Sequence, residues 1–195
     1  SLHDALPICG HQVQWHHHHH ALSLNPQYAQ AYSNAGNALN HLSRFEEAIT
    51  YYEHAILIDP HYPEAFFNQG NALVELKRYE EAILSYQSAL NLNPLFEEAP
   101  CNIGVIYQKI GRYEDALIQF DKAITINPSH AESYFNKGVT LVDQKRYEEA
   151  IICFEKALSI KSDLDWVLGD LLHAKMRVCQ WHGVTQALVE AQELL

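Results

Sequence analysis

Four blocks that each close with a proline repeat along this chain at a fixed period of 34 residues. Ten residues after each proline comes a glycine, and nine residues after that an aromatic side chain leads into Glu-Glu-Ala or Glu-Asp-Ala. A fixed period of this length indicates stacked structural units, each of which contacts only its neighbours. The chain is therefore predicted to be an array and not a single globule. The prolines are Pro26, Pro60, Pro94 and Pro128, and the glycines are Gly36, Gly70, Gly104 and Gly138.

Each block is predicted to contain two helices. In the first block, apolar spacing places one helix from about Ala29 to Leu42. A second helix is opened by Arg44-Phe45-Glu46-Glu47 and runs to about Ile58, because an acidic pair is favoured at a helix N-terminus and the next proline ends the helix. In the third block Pro100 lies in the first turn of the first helix, which predicts a late start there.

Small and large residues recur at matching places in every block. A glycine in the first helix and two alanines in the second surround one aromatic residue, so these positions are predicted to be packing positions and not sites of chemistry. In the first block they are Gly36, Ala48, Tyr52 and Ala55. In the later blocks they are Gly70, Ala82, Tyr86 and Ala89, then Gly104, Ala116, Phe120 and Ala123, then Gly138, Ala150, Phe154 and Ala157.

This pattern resembles the tetratricopeptide repeat, whose signature combines an aromatic, a leucine-glycine pair, a tyrosine, an alanine, an aromatic, an alanine and a proline over 34 residues. The leucine expected before the glycine is absent from all four blocks. The resemblance implies an all-α solenoid, a right-handed superhelix of helix-turn-helix repeats, closed by a C-terminal capping or linker helix pair. The implied segments are the tail of an earlier repeat at 21–28, repeats at 29–62, 63–96, 97–130 and 131–164, and the capping pair at 165–195.

Composition narrows the possible partners. The net charge of −11, from 13 basic and 24 acidic residues, opposes binding to a phosphate backbone, so we expect no nucleic-acid partner. No apolar run is long enough to span a membrane, and the first residues lack the pattern of a secretory signal, so a cytoplasmic location is expected. The oligomeric state is left open. The scattered cysteines, expected to be reduced thiols, are Cys9, Cys101, Cys153 and Cys179.

The two ends of the chain depart from the repeat. Residues 1–20 contain five consecutive histidines and join the array abruptly, so we interpret this segment as a purification tag or other non-native sequence and not as a physiological metal site. The chain does not begin with methionine, which suggests a fragment. At the other end, the repeat's proline is replaced by Ser162, and apolar helical spacing continues through Met176.

The stretch from Leu168 to Trp181 is similar to the junction in bacterial SPINDLY-type O-GlcNAc transferases, where the repeats lead into the glycosyltransferase domain. The resemblance implies a parent enzyme that transfers N-acetylglucosamine from UDP-GlcNAc to Ser or Thr of proteins. The residues that would bind the nucleotide or catalyse transfer lie beyond Leu195, so this chain is expected to have no catalytic, cofactor-binding or metal-binding residue and to need no cofactor. The alternative is that 165–195 is a generic cap.

One set of polar residues is suited to binding an extended protein or peptide segment. An asparagine occurs two residues before each glycine, on the first helix, which lines the concave face of such a superhelix. A carboxamide offers both a donor and an acceptor, so a row of them can pair with a peptide backbone. Local hydrogen bonding within the repeat is the alternative. The predicted binding residues are Asn34, Asn68, Asn102 and Asn136, extended by Asn37 and Asn71, where the last two repeats have Val105 and Val139.

The same face lacks the cationic clamp by which chaperone-binding tetratricopeptide domains hold a terminal carboxylate. The residues before the asparagines are Ser33, Phe67, Cys101 and Phe135. Arginines recur at the turn between the helices, where solvated or inter-repeat ion pairs are expected. Two functions therefore remain open. We expect the chain to be the substrate-selecting part of a protein O-GlcNAc transferase, and the alternative is a freestanding adaptor that scaffolds protein complexes.

Overall fold

The structure is a computed structural model, and it describes residues 28–178. These residues fold into α-helices joined by short turns, with no β-strand among them. The predicted tag at 1–20, the tail of an earlier repeat up to residue 27 and the second helix of the C-terminal pair lie outside the described residues. In chain order the helices are α1 (Ala29–His41), α2 (Phe45–Ile58), α3 (Pro63–Glu75), α4 (Tyr79–Leu92), α5 (Glu98–Lys109), α6 (Tyr113–Ile126), α7 (Ala131–Asp143), α8 (Tyr147–Ile160) and α9 (Asp165–Arg177).

The chain divides into two compact units, one ending at Pro94 and the other beginning at Leu95. In the N-terminal unit, α1 to α4 pack consecutively and α1 also contacts α3. In the C-terminal unit, α5 to α9 pack in the same consecutive manner, and α7 contacts both α5 and α9. The predicted all-α solenoid of helix pairs is thereby confirmed. Within each unit, the first helices of successive repeats are neighbours, which is the arrangement that could form a shared surface.

A glycine in each first helix allows the aromatic ring of the second helix to approach the backbone. A Cβ atom added at Gly36 would lie 2.6 Å from Cε1 of Tyr52, and one added at Gly138 would lie 2.5 Å from Cε1 of Phe154. The same approach occurs at Gly70 and Gly104. The alanines and aromatic residues of the predicted packing set are all buried, so this prediction is confirmed.

The turn from the first helix to the second has one hydrogen-bonding pattern in all four repeats. In the first repeat the amide of Ser43 donates to the carbonyl of Asn40, and the amide of Arg44 donates to the carbonyl of Leu39. These two bonds form a Schellman motif, whose central residue must adopt the left-handed conformation. Glycine occupies that place in the third repeat, as Gly111, whereas the other three repeats have Ser43, Lys77 and Lys145 at φ between 57° and 62°.

The second helices end at the predicted place. Asp59, Asn93 and Asn127 follow α2, α4 and α6 in extended conformation, as expected for a residue before proline. Lys161 is also extended after α8, although Ser162 follows it, so the helix ends there without a proline. The predicted late start at Pro100 is also found, since α5 begins at Glu98, one residue later in the repeat than the other first helices.

The repeated arginines pair mainly within their own repeat. Arg44 forms two hydrogen bonds of 2.6 Å with the carboxylate of Glu47, and equivalent pairs occur at the start of every second helix. The guanidinium of Arg44 holds the pKa of Glu47 below its usual value. One contact is inter-repeat, between Arg146 and Glu114 at 4.0 Å. These exposed pairs contribute little to stability. The other local pairs are Arg78 with Glu81, Arg112 with Asp115, and Arg146 with Glu149.

The close approach of glycine and ring predicts a large cost for one added methyl group. Gly104→Ala should lower the free energy of unfolding by about 1–3 kcal/mol, because the buried ring of Phe120 must shift in a packed core. Gly169→Ala in α9 is the matched control, since nothing lies within 4 Å of its added Cβ, and it should stabilise the helix by up to about 1 kcal/mol. Urea denaturation followed by circular dichroism measures both. Equal effects of the two substitutions would contradict the packing argument.

Candidate functional site

The four asparagines that stand two residues before the repeat glycines, here called the ladder asparagines, lie midway along the first helices. Asn34 in α1 and Asn68 in α3 belong to the N-terminal unit, and Asn102 in α5 and Asn136 in α7 belong to the C-terminal unit. All four are half-buried, so part of each side chain reaches the surface. Because α1 contacts α3 and α5 contacts α7, each unit presents two of these carboxamides on adjacent helices.

The two asparagines predicted to extend the ladder make hydrogen bonds inside their repeats. The hydroxyl of Tyr52 donates to Oδ1 of Asn37 at 2.8 Å, and the hydroxyl of Tyr86 donates to Oδ1 of Asn71 at 2.7 Å. Both tyrosines are buried, and burial raises the pKa of Tyr52. The carbonyl of each asparagine therefore satisfies a hydroxyl that would otherwise be buried without a partner.

The last two repeats replace both members of this pair together. Val105 and Val139 occupy the asparagine position, and Phe120 and Phe154 occupy the tyrosine position. An apolar ring has no hydroxyl to satisfy, so an apolar neighbour is the matching residue. This joint replacement indicates a packing role for Asn37 and Asn71, and the sequence already contained the signal.

The ladder asparagines differ among themselves in their hydrogen bonds. Within residues 28–178, the side chains of Asn34 and Asn68 have no hydrogen-bond partner. Nδ2 of Asn136 donates to Sγ of Cys101 on α5 at 3.7 Å, which leaves Oδ1 as its open acceptor. The equivalent of Cys101 in the first repeat is Ser33, whose hydroxyl is buried without a partner in the described part of the chain.

Acidic side chains stand near the start of three first helices. Glu64, Glu98 and Glu132 lie in the first turns of α3, α5 and α7, and all three are exposed. A negative charge is favoured at a helix N-terminus, so the helix dipole stabilises these glutamates in the first turn. Their negative charges would repel an acidic ligand that approached the start of any of these helices.

A cavity of about 510 Å³ opens in the C-terminal unit, beside the start of α7. The ring of Phe135 meets that of Trp166 edge to face, with centroids 4.2 Å apart. Sequence reasoning did not identify this cavity, although Trp166 stands 34 residues after Glu132 and therefore continues the repeat's register. The cavity is lined by Ala131, Glu132, Phe135, Asn136, Lys161, Leu164 and Trp166.

Two cysteines lie within the described part of the chain. Cys101 and Cys153 are free and buried, and burial raises the pKa of Cys101 to about 11, so its thiol stays protonated near neutral pH. Residues 28–178 contain no cluster of side chains that could hold a metal ion. Among the same residues, none of the helices has the length and apolar character required to cross a bilayer. The cytoplasmic location remains a prediction.

The pairing of Asn37 with Tyr52 can be tested by a double-mutant cycle. Asn37→Val should lower the free energy of unfolding by about 1–3 kcal/mol, because it leaves the buried hydroxyl of Tyr52 without an acceptor. Adding Tyr52→Phe, which recreates the Val and Phe pair of the later repeats, should restore much of that loss. Urea denaturation of the four proteins gives the coupling energy. If the changes in the free energy of unfolding caused by the two substitutions were additive, the packing role would be contradicted and Asn37 would again be a candidate binding residue.

Four family profiles match the repeats. Those described as "Tetratricopeptide repeat" match residues 29–62, 51–83 and 96–163, and one described as "TPR repeat" matches residues 70–111. Together they cover the chain without a gap from residue 29 to residue 163. A search of curated proteins found no match.

Solved structures with a similar fold include other tetratricopeptide repeat proteins. MamA from Desulfovibrio magneticus RS-1 is 22% identical with a TM-score of 0.73, and the match covers 85% of this chain and 94% of that chain. YrrB, described as a TPR protein with an unusual peptide-binding site, is 20% identical with a TM-score of 0.68, and coverage is 90% and 91%. The APC/C hetero-tetramer Cut9-Hcn1 is 16% identical with a TM-score of 0.77, with coverage of 95% and 37%.

At these identities the solved structures support the fold, and the profiles identify the repeat. The helix pairs, the buried packing set and the profile matches agree over the same residues. This chain belongs to the tetratricopeptide repeat family.

Proposed function

We propose that the first helices of this chain bind an extended segment of a partner protein, so that the chain acts as a protein-interaction module. The observation that carries the proposal is the contrast between two sets of asparagines. Asn37 and Asn71 are engaged by buried tyrosines. Asn34 and Asn68 are half-exposed and have no side-chain hydrogen bond to any described residue.

Such carboxamides suit a backbone and not a particular side chain. Each can donate to a peptide carbonyl and accept from a peptide amide, and both groups recur along any extended segment whatever its sequence. In the C-terminal unit, Asn136 keeps Oδ1 open as an acceptor although its Nδ2 bonds to Cys101. The exposed Glu64, Glu98 and Glu132 favour a neutral or basic partner segment over an acidic one.

Two kinds of protein could use this surface. A freestanding adaptor needs the binding surface alone. The alternative is the substrate-selecting region of a protein O-GlcNAc transferase that uses UDP-GlcNAc as donor, and its support is the sequence resemblance of Leu168 to Trp181. Of that stretch, residues 168–178 lie within the described residues, whereas residues 179–181 lie outside them.

Removing two ladder carboxamides should weaken peptide binding without unfolding the protein. The double variant Asn34→Ala with Asn68→Ala should bind a peptide selected from a random display library about tenfold more weakly, because each lost hydrogen bond contributes about 0.5–1.5 kcal/mol. Asn91→Ala is the matched control, since Asn91 is exposed on α4, a second helix, and should leave binding unchanged. Fluorescence anisotropy measures the affinity and circular dichroism the thermal melt. Unchanged affinity, or loss of the cooperative melt, would contradict a binding role.

The transferase alternative makes a separate prediction about the full-length gene product. Incubated with UDP-GlcNAc and peptides from a bacterial lysate, that product should label Ser or Thr residues, and an excess of this 195-residue chain should suppress the labelling by competing for substrates. Mass spectrometry of the peptides detects the transferred sugar. Absence of labelling by a folded full-length product would leave the adaptor as the function. The Asn34 and Asn68 experiment is independent of this outcome, because it measures binding alone.

A further inference from the structure

We propose that the cavity beside α7 is a subsite for a basic side chain, arginine or lysine, of the bound peptide. This inference rests on the proposed peptide binding and adds the chemistry of one ligand residue. The cavity has a volume of about 510 Å³ and lies wholly within the C-terminal unit, between α7 and the turn that leads into α9. Its lining combines an aromatic pair, an open acceptor and an exposed carboxylate.

The aromatic pair gives the cavity a surface that attracts cations. The rings of Phe135 and Trp166 meet at 88°, and Phe135 also packs against the buried ring of Phe154. Phe135 is thereby held in place, whereas Trp166 is 52% exposed. The exposed part of Trp166 is open to a ligand, and Lys or Arg against a Trp ring is an attractive interaction.

The polar lining next to this pair consists mainly of acceptors. Glu132 is exposed, and its carboxylate has no ion-pair partner within 4.0 Å among the described residues. Oδ1 of Asn136 is free to accept because Nδ2 is the atom that bonds to Cys101. A guanidinium or ammonium group carries only donors, so it could bond to both oxygens. An aliphatic or aromatic ligand side chain would leave them unused.

Among the described residues that line the cavity, Lys161 is the one cation, and its ammonium group makes a carboxylate the competing ligand. A carboxylate, from an acidic side chain or a peptide C-terminus, would use Lys161 but would bring its charge beside Glu132 and would gain nothing from the aromatic faces. The whole chain carries a net charge of −11, which favours the approach of a cationic segment over an anionic one. Basic side chains therefore match more of the lining than acidic ones.

Peptide selection on the full chain tests the assignment directly. Random peptides displayed on phage should yield binders with arginine or lysine fixed at one position. In a synthetic copy of such a binder, replacing that arginine with citrulline, which has the same shape but no charge, should weaken binding about tenfold. Glu132→Gln should reduce the difference between the arginine and citrulline peptides, because it removes the charge of the carboxylate and leaves the aromatic contact in place. Glu98→Gln is the matched control, because Glu98 occupies the same place in the preceding repeat and does not line the cavity. It should keep the tenfold difference.

The possible failures are distinguishable. Binders without any fixed basic position, or equal affinity for the arginine and citrulline peptides, would overturn the subsite and leave the peptide-binding proposal intact. Binders fixed for an acidic residue or a free C-terminus, and weakened by Lys161→Gln, would assign the cavity to a carboxylate. Recovery of no binders by the folded protein would overturn the peptide-binding proposal and the subsite with it.

Discussion

The close approach of an aromatic ring to a helix backbone is the contact on which each repeat depends. A glycine in the first helix leaves room for the ring, and alanines at two places in the second helix let the two backbones come together around it. Replacing the glycine with any larger residue would place an atom too close to the ring, since a Cβ atom added at Gly70 would lie 2.6 Å from Cε1 of Tyr86. The first helices also bury other residues against neighbouring helices, and only their exposed and half-buried positions are available for recognition.

The fold could be predicted from the sequence because these packing requirements recur at a fixed interval. The helix from Phe45 to Ile58 has the predicted bounds, and the late start of α5 follows from Pro100. The ion pairs of the repeated arginines were less predictable, since Arg44 bonds mainly to a residue of its own helix start. The left-handed conformation at each turn was also not predicted, because Ser43, Lys77 and Lys145 are residue types that rarely adopt it, unlike Gly111.

The candidate site was predictable only in part. Their spacing puts six asparagines on the same face of their respective first helices. Spacing alone does not show which side-chain carbonyl accepts a hydrogen bond from a buried hydroxyl. Asn37 and Asn71 differ from the other four because they accept hydrogen bonds from Tyr52 and Tyr86. These bonds join two helices, so they are visible only in the structure. The cavity at Trp166 also depends on contacts between elements that are apart in sequence, since its lining extends from α7 to the start of α9.

The first two repeats pair a tyrosine with an asparagine, whereas the last two pair a phenylalanine with a valine. This difference limits how the repeats can be rearranged. A second helix moved alone from the N-terminal unit into a repeat of the C-terminal unit would place the buried hydroxyl of its tyrosine against Val105 or Val139, with no acceptor. A helix moved in the other direction would leave the carbonyl of Asn37 or Asn71 facing an apolar ring. Transferring a whole helix pair keeps each tyrosine with its asparagine, so the hairpin, and not the single helix, is the unit that can be exchanged between repeats without this mismatch.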